Sequence, residues 1–128
     1  MVLFSLCLGG TVRAQQRPHF NPERFEANLE NFVVQQAGLN NQETVQFLPI
    51  YKEMRKQQVA LMEQKRLLKN HNDPATLIRK RDQIDLKIKK LQMQYHERFL
   101  KVLPAEKVLK VIHAEEVFHR QAFSRHKK

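Results

Sequence analysis

The apolar residues from Pro74 to about Val102 recur at the spacing of one face of an α-helix. At about 100° per residue, and with Leu77 set at 0°, further apolar residues lie within about 40° of it: Ile84, Ile88, Leu91, Tyr95, Phe99 and Val102. At ~1.5 Å per residue, this helix is on the order of 40 Å long. A long helix with such a face predicts an antiparallel helical hairpin, in which a second helix covers it.

The same segment carries a second apolar line on its opposite side. Leu86, Met93 and Leu100 have heptad spacing and point about 140–180° away from Leu77. A two-layer hairpin cannot bury both lines, so the second line is predicted to meet another chain or a bound partner. The alternative is that shorter helices of the same chain cover it.

Basic residues fill the sector at about 200–300° of this helix: Arg79, Lys80, Lys87, Lys90 and Lys101. The acidic residues Asp82 and Asp85 lie on the other flank. Basic and apolar side chains on one surface favour an acidic or unfolded protein partner. A charge run of this kind is also typical of a helix face that is merely solvated.

Capping residues predict two helices before this one. Asn21 and Pro22 begin the first helix, and Gly38 ends it. Asn40 and Glu43 have the spacing of a capping box at the start of the second. This second helix is predicted to bend at Pro49, to run to Lys69, and to bury one apolar stripe: Phe47, Ile50, Tyr51, Met54, Leu61 and Leu68.

Proline also marks the starts of the last two helices. Asp73 is the predicted N-cap before Pro74, and Pro104 is predicted at the first position of the fourth helix, with Glu106 in its first turn. One side of the fourth helix carries a mainly apolar line: Val108, Val111, Ile112, Glu115, Phe118 and Ala122. The two tyrosines, Tyr51 and Tyr95, are predicted to be packing residues.

Composition narrows the fold class and the function classes. The chain has 128 residues, of which three are glycine and one is cysteine, and its formal net charge is +10. Few glycines disfavour a turn-rich sheet and exclude a glycine-rich phosphate loop, and one cysteine excludes a disulfide framework. The prediction is an all-α domain in which the long hairpin is flanked by two short helices. The charge favours an anionic partner.

The N-terminal residues predict export. Residues 2–8 form a short apolar run, and small residues lead to Ala14, after which we expect a signal peptidase to cut. The apolar run is too short to span a membrane, so no stable membrane insertion is expected. The prediction is a signal peptide over 1–14, an extended arm over 15–21, a helical domain over 22–123 and a basic tail over 124–128, in a periplasmic protein.

Three residues near the C-terminus form a candidate metal site, and the sequence contains no candidate catalytic site. His113, Glu116 and His119 lie at i, i+3 and i+6, and Glu-x-x-His is the ligand spacing of ferritin-like di-iron helices. No second copy occurs, and the two histidines lie about 120° apart, so surface positions near a helix C-terminus are the other interpretation. No cofactor beyond a weak divalent metal is expected. Ser5 and Ser124 lie in the signal and the tail, so no enzyme is predicted.

Two predicted helix openings look alike and carry a resemblance. Leu39-Asn-Asn-Gln-Glu43 and Leu103-Pro-Ala-Glu-Lys107 each open a helix, and the long hairpin lies between them in the sequence. With the export signal and basic surface, this arrangement resembles the Spy/CpxP family, whose members carry two Leu-Thr-x-x-Gln motifs at equivalent places. Two further stretches, Phe47-Leu-Pro-Ile-Tyr-Lys-Glu-Met54 and Ala114-Glu-Glu-Val-Phe-His-Arg120, resemble those of small exported Bacteroidetes proteins near this family. Asn40 and Pro104 stand where threonine is usual, and Glu43 and Lys107 where glutamine is usual. The resemblance implies a cradle-shaped antiparallel homodimer.

The resemblance also implies a function by binding. It implies an ATP-independent chaperone, or an envelope-stress sensor, that acts on unfolded or acidic envelope proteins or on a sensor-kinase or other regulatory domain. A periplasmic heavy-metal sensor using His113, Glu116 and His119 is the first alternative. A basic nucleic-acid-binding helical protein, in which residues 1–14 belong to the fold, is the second.

Overall fold

The fold is a four-helix, strand-free arrangement over the residues that the computed structural model describes, 20–68 and 73–126. Its helices are α1 (Pro22–Ala37), α2 (Asn41–Arg66), α3 (Pro74–Val102) and α4 (Ala105–His126). The predicted all-α class is therefore confirmed. The predicted signal over 1–14 and most of the predicted arm lie outside the described residues, and α4 continues into the segment predicted as a tail.

Both ends of α1 lie where the sequence predicts them. The Asn21 side chain accepts a hydrogen bond of 3.1 Å from the backbone N–H of Arg24, and Pro22 takes the first helical position. Gly38 ends the helix with φ 66°, in the left-handed region. Because a Cβ atom is unfavourable at that φ, the position suits glycine.

The capping box at the start of α2 is present. The backbone N–H of Glu43 donates to Asn40 Oδ1 at 2.8 Å, and the backbone N–H of Asn40 donates to Glu43 Oε1 at 3.0 Å. The helix runs through Pro49 without interruption. It ends at Arg66, earlier than the predicted end at Lys69, which lies outside the described residues.

α2 packs along α3 in the predicted antiparallel hairpin. The ring of Phe47 stacks on Tyr51 with centroids 5.1 Å apart, and lies 4.9 Å from the ring of Phe99. All three side chains are buried. The predicted inward line of α3 is confirmed, because each of its residues is buried or half-buried: Leu77, Ile84, Ile88, Leu91, Tyr95, Phe99 and Val102.

α1 and α4 pack against each other and complete the core. The ring of Phe118 lies 5.3 Å from that of Phe25 and 5.5 Å from that of Phe32. Leu29 and Val33 of α1 are fully buried and belong to the same cluster of core residues as the hairpin aromatics. The α1–α4 pair and the hairpin therefore share one hydrophobic core.

The loop end of the hairpin lies beyond this core. Among the described residues, the buried side chains nearest that end are Gln58 on α2 and Ile84 on α3, whereas Leu67 and Ile78 are exposed. None of the described helices is both long and apolar enough to cross a membrane. The core is thus concentrated where the hairpin meets α1 and α4.

A pair of adjacent substitutions tests the assignment of inner and outer faces on α3. Phe99→Ala removes a ring that is 1% exposed, whereas Leu100→Ala removes a side chain that is 43% exposed. We expect Phe99→Ala to lower the free energy of unfolding by about 3–5 kcal/mol, because it leaves a cavity. Leu100→Ala is expected to cost less than about 1 kcal/mol. Urea denaturation followed by circular dichroism measures both, and equal losses would contradict the assignment.

Candidate functional site

The second apolar line of α3 is exposed to solvent. Leu86, Met93 and Leu100 have exposed fractions of 56%, 57% and 43%. The alternative in which the shorter helices cover this line is therefore wrong for the single chain. Large apolar side chains that lie in a row on a solvent-exposed surface are typical of interaction sites.

The basic residues predicted beside this line are all exposed as well: Arg79, Lys80, Lys87, Lys90 and Lys101. None of them forms an ion pair with a carboxylate in the described part of the chain. Glu97 is the one acidic residue that shares their sector. We call these five cations, together with Leu86, Met93 and Leu100, the outer face of α3.

The charges on the two flanks of α3 differ. Asp85, on the flank opposite the basic residues, accepts a hydrogen bond of 2.8 Å from Lys65 of α2. Arg98, at the edge of the basic sector, lies 3.5 Å from Glu53 of α2 and over the ring of Tyr95. Asp85 and Arg98 are therefore paired across the hairpin seam, whereas the five cations of the outer face have no carboxylate at ion-pair distance among the described residues. Their charges are available to attract an external anion.

The two motif-like helix openings meet in the structure. Lys107 Nζ donates to Glu43 Oε1 at 2.6 Å, and this contact lowers the pKa of the Glu43 carboxyl. Leu103 is buried and Leu39 is half-buried beside the core. Positions where the resembled family has two glutamines thus carry an ion pair that joins the start of α2 to the start of α4.

A partly buried ion pair, which the sequence does not predict, joins α2 to α1. Arg55 Nε and Nη2 donate to Glu26 Oε1 and Oε2 at 2.9 and 2.7 Å, in a bidentate arrangement. Arg55 is 3% exposed. Its guanidinium needs a carboxylate partner at this depth, because an unpaired buried charge costs several kcal/mol.

Tyr51 and Glu115 form a second polar contact beside that pair. The Tyr51 hydroxyl donates to Glu115 Oε2 at 2.7 Å, which joins α2 to α4. Burial raises the pKa of the Glu115 carboxyl and also that of the Tyr51 hydroxyl, which stays protonated as the donor. The packing role predicted for Tyr51 is confirmed, because its side chain is buried, and its hydroxyl adds a hydrogen bond to α4. The Tyr95 hydroxyl accepts a hydrogen bond of 2.9 Å from Gln57.

The three residues of the predicted metal site are not gathered into one. His113 Nδ1 lies 4.0 Å from Glu116 Oε1, and both side chains are exposed. His119 is half-buried, with its Nδ1 3.1 Å from the backbone carbonyl oxygen of Glu115 and its ring 6.0 Å from that of Phe25. Burial lowers the pKa of the His119 imidazole. Within the described residues, no group of three His, Cys, Asp or Glu side chains is arranged to hold a metal ion.

Comparisons of the chain with protein-family models, with curated proteins and with solved structures find no match. The resemblance to the Spy/CpxP family therefore stays a prediction from the sequence. The function has to be argued from the chain's own surfaces and contacts.

The half-buried carboxyl of Glu115 predicts a testable pH dependence of stability. Because the pKa of the Glu115 carboxyl is raised in the folded protein, folding favours its protonated form. The protonated carboxyl therefore stabilises the fold fully below its ordinary pKa of 4.5, and this stabilisation is lost as the pH rises through the folded pKa. Glu115→Gln keeps an acceptor for Tyr51 and removes the charge. We expect the variant to gain stability over the native protein at pH 8, and the gain to shrink towards pH 4.

Glu116→Gln is the matched control, because Glu116 is the exposed neighbour on the same helix. Its difference from the native protein is expected to vary little between the two pH values. Urea denaturation at both values gives the two differences. A Glu115→Gln gain that is as large at pH 4 as at pH 8 would contradict the burial argument.

Proposed function

We propose that this protein is an exported, ATP-independent chaperone or envelope-stress-sensing protein that holds unfolded, acidic polypeptide segments on the outer face of α3. The observation that carries the proposal is the exposed apolar line of Leu86, Met93 and Leu100 beside cations that have no carboxylate partner in the described residues. Binding, rather than catalysis, is the activity that such a surface supports.

The apolar line supplies contacts for exposed hydrophobic segments. At ~1.5 Å per residue, heptad spacing places its three side chains about 10 Å apart along one side of the helix. An unfolded chain in the polyproline II conformation advances about 3.1 Å per residue and has three residues per turn, so every third residue faces the same side and reaches the next contact. Separate, shallow contacts of this kind hold a chain weakly and let it shift while it is bound.

The cations supply the preference for acidic segments. The whole chain has a formal net charge of +10, and the outer face concentrates five cations around one acidic residue, Glu97. Long-range attraction of this kind raises the rate at which oppositely charged partners are captured, and it weakens in salt. Acidic unfolded chains are therefore the proposed occupant.

A second copy of the chain fits this face less well. A two-fold interface brings the same patch of both subunits together, so the five cations of one outer face would oppose those of the other. Like charges that lie close together across an interface repel each other. The homodimer implied by the family resemblance stays a prediction, and the charge pattern favours a different face for it.

The remaining parts of the proposal come from the sequence. The predicted signal over 1–14 supplies export to the periplasm, and the helix openings at Leu39 and Leu103 supply the resemblance to Spy/CpxP proteins. A regulatory domain with an acidic surface would use the same attraction. The proposal thus covers both a chaperone and a sensor, because each depends on capture by the outer face.

Suppression of client aggregation is the direct test. Reduced, unfolded α-lactalbumin, an acidic client, is left to aggregate without ATP, and light scattering is followed with and without the native protein. We expect suppression by the native protein and most of it lost in Leu86→Glu/Met93→Glu, because both substitutions place charge in the apolar line and repel an acidic client. Val45→Glu/Leu109→Glu is the matched control, since both side chains are exposed elsewhere.

Neutralising the cations separates the two contributions. Lys87→Gln/Lys90→Gln is expected to slow capture at low salt and to flatten its salt dependence, whereas Lys56→Gln/Lys110→Gln, which changes exposed lysines on other helices, is expected to do neither. Sedimentation of every variant checks for dimers. Intact suppression by Leu86→Glu/Met93→Glu, together with loss of a dimer, would assign the face to a second copy and overturn the proposal.

A further inference from the structure

The outer face of α3 is not uniform along its length. Its half nearer the loop end of the hairpin carries Leu86 and most of the cations, which we call the cationic half: Arg79, Lys80, Lys87 and Lys90. No acidic residue of the basic sector lies between Arg79 and Lys90, since Asp82 and Asp85 lie on the other flank. At ~1.5 Å per residue, the cationic half extends about 16 Å along the helix.

The half of the outer face nearer the end of α3 carries two apolar residues and no excess charge. Met93 and Leu100 lie about 10 Å apart along the helix, and the formal charges of Glu97 and Lys101 cancel. Arg98, at the edge of the sector, is already paired with a carboxylate of α2. We call Met93, Glu97, Leu100 and Lys101 the apolar half.

Glu97 lies between the two apolar contacts of this half. Residues three or four apart are neighbours on a helix surface, with Cβ atoms about 5–6 Å apart, so Glu97 adjoins both Met93 and Leu100. Its side chain is exposed, and it forms no ion pair with any residue that the structure describes. An acidic client residue placed on Met93 or Leu100 is therefore repelled by a neighbouring carboxylate, whereas a neutral one is not.

Salt keeps the two halves electrostatically separate. Glu97 lies about 10 Å beyond Lys90 along the helix axis, whereas the screening length is about 8 Å at physiological ionic strength. All four residues of the cationic half are exposed. The Glu97 carboxylate therefore acts mainly on the apolar half, and the cationic half keeps most of its attraction for an anionic group.

We propose that the outer face selects client segments in which an acidic stretch adjoins a neutral, apolar stretch. The acidic stretch lies on the cationic half, and Glu97 keeps acidic residues off the apolar half. Because this placement refines which segments the outer face holds, it rests on the proposed function. At ~3.1 Å per residue, about five acidic residues match the length of the cationic half, and three or four apolar residues match that of the apolar half.

Two peptides of identical composition, with capped ends, test whether the order of residues matters. The block peptide has five glutamates followed by four leucines and alanines, and the interleaved peptide has the same residues with the glutamates spread throughout. Fluorescence anisotropy at low salt gives both affinities. We expect the block peptide to bind about fivefold more tightly or better, because the interleaved peptide places glutamates beside Glu97 and fewer of them on the cations.

Removing the charge of Glu97 tests its role in this selection. Glu97→Gln is expected to tighten binding of the interleaved peptide about threefold at low salt and to change that of the block peptide by less than about twofold. The gain is expected to shrink at high salt, because the repulsion it removes is screened. Glu106→Gln, which changes an exposed glutamate of α4, is the matched control and is expected to change neither affinity.

A spin label on the block peptide reports where each end of the peptide lies. The label is attached to the acidic end or to the apolar end, and broadening of the ¹³C-labelled Met93 methyl signal is measured for each. The proposed placement predicts stronger broadening by the label at the apolar end, because Met93 belongs to the apolar half.

The results distinguish a loss of the placement from a loss of client binding. Equal affinities of the two peptides, with the Met93 signal perturbed by both, would overturn the proposed selection and leave the outer face as a client site. Stronger broadening of Met93 by the label at the acidic end would overturn it too, as would an unchanged affinity of Glu97→Gln for the interleaved peptide. If neither peptide perturbs Met93, the proposed function fails and the selection fails with it.

Discussion

The structure depends on one geometric constraint: α3 has apolar residues on opposite sides, and α2 can cover only one of them. The inner side buries Phe99 against Phe47 and Tyr51, so Met93 and its neighbours in the second line must face away from the hairpin. The short helices do not reach that side, because α1 packs against α4. This arrangement leaves an exposed apolar line beside cations that have no carboxylate partner in the described part of the chain.

Polar contacts then fix how the hairpin lies on the α1–α4 pair. Arg55 reaches Glu26 of α1, and Tyr51 reaches Glu115 of α4, both at hydrogen-bond distance inside the protein. Burying an ion pair adds little net stability compared with apolar packing, but losing one partner is costly. Such contacts therefore select one placement of the hairpin on the α1–α4 pair.

The sequence predicts what depends on local spacing. The capping box of Asn40 and Glu43 and the inner line of α3 lie where predicted, because caps and helical periodicity involve neighbouring residues. The pairing of Glu26 with Arg55 was not predicted, since charged residues on a predicted helix are indistinguishable from solvated ones until the helices pack. Glu115 is the exception, because an acidic residue within the apolar line of α4 indicates a buried polar contact.

The methionine methyl groups offer the most direct measurement of the central claim. Met93 lies on the outer face of α3 and Met54 lies in the core, while Met62 lies towards the loop end of the hairpin. With ¹³C-labelled methionine methyls and unfolded, acidic α-lactalbumin, the account predicts a large shift or broadening at Met93 and none at Met54. Binding that leaves the Met93 signal unchanged, or that perturbs only Met62, would contradict the claim that the outer face of α3 holds the client.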